Sequence, residues 1–350
     1  MKEDTATAKL FIGIDTHKRS WKVKTATDLF DGRAFTCPPD PETLRKYVEK
    51  NFPGYEVHCA YEVGPCGYSA HRAFISYGWH SLVVNPADIP RSQKSKYQKT
   101  DKLDAALICR ELKDGRLKSI RVPSPEREAL RCLFRRRIEL VKDFLKTKSR
   151  ILMQLLYLGV KIPDEYDKNP WTRAFLEWVR SLDLGFETSN YSLKTQLAHY
   201  EFLDKSIKEV SKQLRNYCRD NFKKDYELLL SVPGIGPIIA CGILSELGDL
   251  RRFNTEKQLC SYVGLIPSLN QSGESSKTSG MTPRAKRIMR SYFIEAAWCA
   301  VRLDPSMQAY WRSHRGKDPK RIIVKVARKL LVRVRSVLIS GVPYQMGLVK

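Results

Sequence analysis

Apolar residues fall along this chain in two rhythms: short runs broken by turn residues at the start, long helical stripes afterwards. Leu10-Phe11-Ile12-Gly13-Ile14 and Val57-His58-Cys59-Ala60-Tyr61 are continuous enough to form buried strands, and each ends in an acid, Asp15 and Glu62. Trp21, Val23 and Thr25 alternate as a strand over Trp21–Thr25, and a further strand is predicted over Arg33–Thr36, with Asp31-Gly32 as the turn between them. A helix is predicted over Pro41–Asn51, because Asp40 can cap it, Pro41 suits its first position, and Leu44, Tyr47 and Val48 form one face. A strand over Tyr55–Tyr61, a helix around Tyr68–Tyr77, a strand over Ser81–Val84 and a helix opening at Asp101 complete an α/β unit.

Pro123-Ser124-Pro125 punctuates the end of that unit, and the pattern changes. Leu130, Phe134, Ile138, Val141, Leu145, Leu152 and Leu155 recur at helical spacing, so one long helix is predicted from Ser124 to Leu158. A second stripe, Leu193, Leu197, Tyr200, Leu203, Ile207, Val210, Leu214 and Tyr217, steps by threes and fours close to a heptad seam. Between them, Trp171, Phe175 and Trp178 mark a short helix that turns the chain around. The pair reads as an antiparallel coiled-coil arm, a spacer or dimerisation element.

From about Tyr226, Ser231-Val232-Pro233-Gly234-Ile235-Gly236-Pro237 leads into Ile238–Leu244 as helix, glycine hairpin, helix. There Gly234 and Gly236 either let backbone N–H groups approach a phosphate or simply make a tight turn. The Ser- and Gly-rich stretch from Asn270 to Gly280 is, on composition, a flexible loop. A helix carrying Ile322, Ile323, Val326, Leu330 and Val334 on its apolar stripe is predicted between Lys317 and Arg335, with a basic outer face. The expected fold class is α/β plus all-α, divided into residues 1–120, 121–225 and 226–350.

Charge narrows the partners. The chain has 350 residues, with 62 Lys and Arg against 38 Asp and Glu, a formal net charge of +24. A field of that sign attracts polyanions, and no apolar stretch is long enough to span a bilayer, so nucleic acid is favoured over membrane. Met1-Lys2-Glu3-Asp4-Thr5 lacks the pattern of a signal peptide, and a cytoplasmic location is expected. The nine cysteines form no CxxC pair, and Cys59, Cys109 and Cys241 lie in apolar runs, as reduced thiols do. The six histidines show no metal spacing; His17, close after Asp15, is a surface group or one that touches a phosphate or a bound water.

Cations gather in three places. Arg91-Ser92-Gln93-Lys94-Ser95-Lys96-Tyr97-Gln98-Lys99 is a basic loop leading into the Asp101 helix. Arg131, Arg135, Arg136, Arg137, Lys142, Lys146, Lys148 and Arg150 set eight cations against Glu139 and Asp143 on the first long helix, a face suited to phosphates. The tail helix carries eight more, from Lys317 to Arg335, against Asp318. Trp298, Tyr310 and Trp311 are either core residues or stacking platforms for bases.

The acids carry the chemistry. Asp101 and Asp104 stand three residues apart and project from one helical face, which needs a cation between them, a shared proton, or plain hydration. A carboxylate ending a buried strand is costly unless paired or bound, so structural need alone does not explain Asp15 and Glu62. Asp15, Glu62, Asp101 and Asp104 form a set of hard oxygen ligands for Mg²⁺ or Mn²⁺, and no Cys/His set favours Zn²⁺.

The order of elements, with one acid on the first strand, one ending the fourth and a pair on a later helix, resembles the ribonuclease H-like fold in its RuvC-like form. Gly13-Ile14-Asp15-Thr16-His17-Lys18, Glu62-Val63-Gly64-Pro65-Cys66-Gly67-Tyr68, Asn85-Pro86 and Lys99-Thr100-Asp101-Lys102-Leu103-Asp104-Ala105 together resemble the DEDD transposases of insertion elements, whose members act as bridge-RNA-guided recombinases. The resemblance implies that Asp15, Glu62, Asp101 and Asp104 bind divalent metal beside the scissile phosphate. Pro65 and Cys66 stand where the family more often has Thr-Gly.

The stretch from Pro233 to Arg290 resembles the family's C-terminal transposase domain, in which a Gly-Leu-x-Pro segment precedes a nucleophilic serine. That implies Ser272, ahead of Gly273, with Ser275 and Ser276 in reserve. Gln271-Ser272-Gly273-Glu274 replaces the usual two serines and two glycines, and Thr282–Lys286 replaces a Lys-x-Gly-Asn segment. The resemblance further implies a covalent phosphoserine intermediate, a guide (bridge) RNA, double-stranded donor and target DNA, and a homodimer assembling to a tetramer in a bacterial or archaeal cell, nucleoid-associated. Lys18, Lys94, Lys96, Lys99, Arg135, Arg136, Arg137, Gly234, Gly236 and Lys277 are the candidate nucleic-acid contacts. A junction-resolvase-like nuclease that uses water, and a non-catalytic scaffold, are the competing readings.

Overall fold

The computed structural model describes residues 8–90, 101–167, 170–272, 275–282, 285–314, 316 and 318–347; the side chains of 101–103, 167, 268–272 and 275–279 lie outside the described set. Lys94, Lys96 and Lys99 therefore lie outside the described residues. The chain forms two compact units, Met1–Val122 and Pro123–Lys350.

The first unit is built on a five-stranded sheet of β1 (Lys9–Thr16), β2 (Trp21–Thr27), β3 (Phe35–Cys37), β4 (Glu56–Glu62) and β5 (His80–Val84), in the order β3-β2-β1-β4-β5. β1, β2 and β3 pair antiparallel, while β4 and β5 join β1 in parallel. Parallel neighbours need crossovers, which α2 (Ser69–Ser76) and α1 (Pro41–Asn51) supply. Asp40 accepts from the N–H groups of Glu42 and Thr43, and Pro41 takes the first helical position.

Alternation along β1 and β4 divides two cores. Leu10, Ile12, Ile14, Val57, Cys59 and Tyr61 pack with Leu44, Val48 and Phe74 on one face. Phe11, Ala60 and Val84 pack with Ile108, Cys109 and Leu112 of α3 (Asp101–Lys113) on the other. This mixed α/β unit agrees with a ribonuclease H-like fold.

The second unit begins with α4 (Pro125–Tyr157), capped by Ser124, and continues through the short α5 (Asp164–Asp167) and α6 (Arg173–Ser181) to α7 (Glu187–Asn221). Gln196 Nε2 donates to Gln154 Oε1 at 2.6 Å and Arg137 Nε donates to Ser211 Oγ at 2.8 Å, so α4 and α7 run antiparallel. Ile151, Leu155, Leu193 and Leu197 enclose Phe175 and Val179 of α6 at one end of the pair. Leu130, Phe134, Leu214 and Cys218 join a larger core at the other end.

That core is assembled from α8 (Lys223–Leu230), α9 (Pro237–Gly242) with a π-helical turn over Ile243–Leu247, α10 (Glu256–Val263), α11 (Arg287–Leu303), α12 (Pro305–Arg312) and α13 (Pro319–Ser340). Ile322, Ile323, Val326, Leu330 and Val334 of α13 are buried, and Arg321, Lys325 and Arg328 are exposed. Arg333 and Arg335 turn inward, to Asp304 and the Phe253 carbonyl. Trp298 and Trp311 pack on each other with ring centres 5.1 Å apart.

The Ser- and Gly-rich stretch departs from the loop its composition predicts. It forms an antiparallel hairpin of β6 (Pro267–Ser272) and β7 (Ser275–Met281), with Ser272 opposite Ser275. Ladder hydrogen bonds come from the backbone, so a sequence poor in apolar side chains can still pair.

Candidate active site

Asp15 and Glu62 are brought together by register. β1 and β4 run parallel with Gly13 beside Ala60 and Ile14 beside Tyr61, so the next pair is Asp15 and Glu62 at the carboxyl ends of both strands. Counting by twos from Gly13 and Ala60 puts both acids on the face covered by α3. Neighbouring strands lie about 4.8 Å apart, which makes the two carboxylates close neighbours.

Gly13 sets how closely α3 approaches. A Cβ there would stand 2.2 Å from the Ala105 carbonyl oxygen and 2.4 Å from the Cys109 nitrogen, so only glycine permits the contact. Cys109 Sγ donates to the Phe11 carbonyl at 3.4 Å and fixes the helix along β1. Asp104 adjoins Ala105 and Asp101 lies one turn earlier, so the start of α3 faces the strand ends that carry Asp15 and Glu62. The Asp101 side chain lies outside the described residues.

Around this cluster, Asp15 Oδ2 bonds His17 Nε2 at 3.1 Å; the Asp15 side chain is 16% exposed and that of His17 50%. His17, Lys18 and Arg19 are all exposed on the turn into β2. The loop after Glu62 folds back: Tyr61 Oη donates to the Gly67 carbonyl at 3.1 Å, and Cys66 Sγ reaches the Thr16 carbonyl at 3.8 Å. Asp15, Glu62 and Asp104 are the hard oxygen donors that Mg²⁺ or Mn²⁺ prefers, and the donor set fits such an ion. Among the described residues, Glu56, His58 and His80 are a trio of ligand atoms within 4.8 Å of one another. Mg²⁺ commonly takes one or two carboxylates directly and fills the rest of its octahedron with water and substrate oxygens.

The remaining sequence-predicted residues have more varied surroundings. Ser272 ends β6 and Lys277 pairs with Asn270 in the hairpin, but both side chains lie outside the described residues. Gly234 has φ +88°, and a Cβ on it would lie 2.3 Å from the Ala296 carbonyl oxygen, so packing against α11 already requires glycine there. Gly236 caps α9 and borders open space. Arg136 is exposed beside Glu139, whereas Arg137 bonds Ser211.

Arg135 grips Glu246, with Nε to Oε1 at 2.6 Å and Nη2 to Oε2 at 3.1 Å. Glu246, buried in the π-helical turn, also meets Arg131 at 3.6 Å and Lys286 at 3.9 Å. Its one trace in the sequence is a lone glutamate inside the apolar run Ile243–Leu247, the signal of a buried ion pair whose partners lie far along the chain. The absence of metal spacing among the histidines holds along the sequence but not in space: His58 and His80 converge, with Glu56, once β4 and β5 pair.

A mixed α/β unit that gathers acids at the carboxyl ends of β1 and β4, under the start of a helix, defines a DEDD-type nucleic-acid enzyme. A transposase family model of the DEDD IS110 type matches residues 12–158, and a second, described as the transposase IS116/IS110/IS902 family, matches residues 226–312. The chain is similar to the Sinorhizobium fredii protein y4rJ, which bears a transposase name, at 31% identity over 83% of this chain and 78% of that one. It is similar to the transposase for insertion sequence element IS1533 of Leptospira borgpetersenii, at 24% identity over 83% of this chain and 85% of the relative. It is also similar to the pilin gene-inverting protein of Moraxella bovis, at 27% identity over 79% and 77% of the two chains. The chain belongs to the IS110 family of DEDD transposases, enzymes that cleave and rejoin DNA strands. Among the described residues no helix is long and apolar enough to cross a membrane.

Proposed function

We propose that this transposase exchanges DNA strands through a covalent 5′-phosphoserine intermediate formed by Ser272, with Asp15, Glu62, Asp101 and Asp104 holding Mg²⁺ or Mn²⁺ beside the scissile phosphate. The observation that carries the reading is the meeting of Asp15 and Glu62 at adjacent strand ends under the start of α3. The metal, when bound, meets the negative charge that develops on the phosphoryl oxygens.

Ser272 Oγ attacks phosphorus, the bond to O3′ breaks, and the hydroxyl proton ends on the departing 3′ oxygen. A 3′ hydroxyl from another strand then attacks the phosphoserine and returns the proton to Ser272. One phosphoester replaces another at each step, so rejoining needs no high-energy cofactor.

Domain roles follow the same reading. Residues 1–120 bind metal, 121–225 form a coiled-coil arm from α4 and α7, and 226–350 carry the serine with a helix-hairpin-helix over α8 and α9. Lys18, Lys94, Lys96, Lys99, Arg136, Gly236 and Lys277 contact nucleic acid phosphates; Arg135, Arg137 and Gly234 combine that role with their intramolecular contacts. Guide RNA selects the donor and target duplexes, and a homodimer assembling to a tetramer supplies acids and serine from different subunits in a bacterial or archaeal cytoplasm. The family resemblance supports the RNA and the oligomer, and the charge of +24 supports polyanionic partners.

The test is to trap a protein–DNA adduct with the partner RNA supplied and to map the linked residue. A link at Ser272 that vanishes in Ser272→Ala is expected. Cleavage that persists in Ser272→Ala without any adduct would establish the water-using nuclease instead, and salt-sensitive binding without metal-dependent cleavage would establish a scaffold.

A further inference from the structure

We infer that Glu56, His58 and His80 form a second metal site, one for a borderline divalent ion such as Zn²⁺, independent of the acidic site. Two rules of sheet geometry assemble it. Residues two apart on a strand share a face, which aligns Glu56 with His58 on β4. The parallel register sets His80, the first residue of β5, directly beside His58.

The side chains converge on one point. His58 Nε2 lies 2.9 Å and His80 Nε2 3.0 Å from the same carboxylate oxygen, Glu56 Oε1. The two imidazoles lie side by side with ring centroids 4.6 Å apart, and each reaches the same Glu56 oxygen through its Nε2, so a small turn of one ring would bring both lone pairs onto one ion. The Phe11 ring, 5.6 Å from that of His58, backs the pair from β1. Two imidazole nitrogens and one carboxylate oxygen are a three-ligand zinc set that leaves a fourth position for water.

Dimensions support coordination. Metal–ligand bonds of about 2.0–2.1 Å place tetrahedral ligand atoms about 3.3 Å apart. The two contacts to Glu56 Oε1 need open by only a few tenths of an ångström, and all three ligand atoms lie within 4.8 Å of one another. Access is also right: the side chains of His58, Glu56 and His80 are 22%, 34% and 61% exposed, so the ligands are anchored at one end and open to solvent at the other. Imidazole ligands select against the hard ions that suit Asp15 and Glu62.

The site is remote from the acids. Glu56 starts β4 and Glu62 ends it, about 20 Å apart at the rise of a parallel strand. An ion here would clamp the starts of β4 and β5, the strand pair that carries Glu62, without touching the reacting phosphate.

The experiment uses the full chain, stripped of metal by chelator dialysis and titrated with Zn²⁺ alone, then with Co²⁺ as a spectroscopic probe. One Zn²⁺ is expected to bind, with an intense visible Co²⁺ band of tetrahedral type and no thiolate charge-transfer band, which sets the nine cysteines aside. His80→Gln and His58→Gln should each weaken that binding at least about tenfold, as removing a metal's supporting group does, while Asp15→Asn with Asp104→Asn leaves it unchanged. His80 is exposed enough that its variant keeps the fold, which circular dichroism checks. Absence of Zn²⁺ binding to the wild type, undiminished binding in the double histidine variant, or a thiolate band would each overturn the proposal.

Discussion

Gly13 and Ala105 lie in backbone contact: a Cβ on Gly13 would stand 2.2 Å from the Ala105 carbonyl oxygen. The obstacle is helix backbone, which cannot rotate away as a side chain would. Gly13→Ala must therefore push α3 off β1, at a cost of about 2–3 kcal/mol or more. The same displacement moves Asp101 and Asp104 away from Asp15 and Glu62. The expected result is a lowered urea midpoint together with loss of strand exchange even at temperatures where the variant stays folded. Full activity in a folded Gly13→Ala protein would show that the acids do not depend on this contact.

The acids make their own prediction. If Asp15, Glu62 and Asp104 share an ion, Mg²⁺ stabilises the wild type by mass action, by about 2.7 kcal/mol at a hundredfold excess over its dissociation constant. Asp15→Asn or Asp104→Asn removes that increment, because a ligand is lost. Without metal the same substitutions relieve like-charge repulsion and leave stability unchanged or slightly raised. Strand exchange should fall at least about a hundredfold, the scale set by losing one group that meets developing charge. Thermal melts with and without Mg²⁺, read beside an exchange assay, separate these effects.

Much of the fold is legible in the sequence because its signals are local. Asp40 and Pro41 start α1 where the cap rule places it, and Ser124 with Pro125 starts α4. Asp15 and Glu62 stand out because an acid at the end of a buried run is costly wherever the run packs. What escapes local reading is what register decides. His58 and His80 are separated by a whole crossover, and only the parallel pairing of β4 and β5 makes them neighbours. Arg135 reads as one cation of a phosphate-binding face until its partner Glu246 arrives from 111 residues further along. The hairpin over Pro267–Met281 is hidden for another reason: backbone pairing leaves little trace in a run of Ser, Thr and Gly.

Glu246 is the anchor between α4 and the π-helical turn. It is buried, and it answers Arg131, Arg135 and Lys286 at once. Removing one partner of a buried ion pair strands the others, a loss of about 3–5 kcal/mol when they cannot reach water. Here the Arg135 side chain is half exposed and can rehydrate, so the loss should fall below that range, near 2 kcal/mol. Glu246→Ala is expected to lower the urea midpoint by that amount, and Arg135→Met by less. A larger effect for Arg135→Met than for Glu246→Ala would contradict the assignment of Glu246 as the anchor.

Asp304 supplies a pH signature. It caps α12, accepts from the Ser306 N–H and hydroxyl at 3.0 and 2.9 Å, and takes Arg333 at 2.8 Å and Tyr344 Oη at 2.6 Å. Burial alone would raise its carboxyl, but the hydrogen bonds from Tyr344 and Ser306 and the charge of Arg333 outweigh burial and hold it below the ordinary value of 3.8. Between the lowered and the ordinary value the unfolded chain binds a proton that the folded one does not. The contribution of Asp304 is thus complete above 3.8 and is lost as pH falls from there through the lowered value. Urea midpoints followed into acid should drop steeply in the wild type and less steeply in Asp304→Asn, which starts lower because Arg333 has lost its counter-charge. Tyr344→Phe, which removes one donor and keeps Arg333, should fall between the two; an acid limb unchanged by both substitutions would assign the acid sensitivity to other carboxylates.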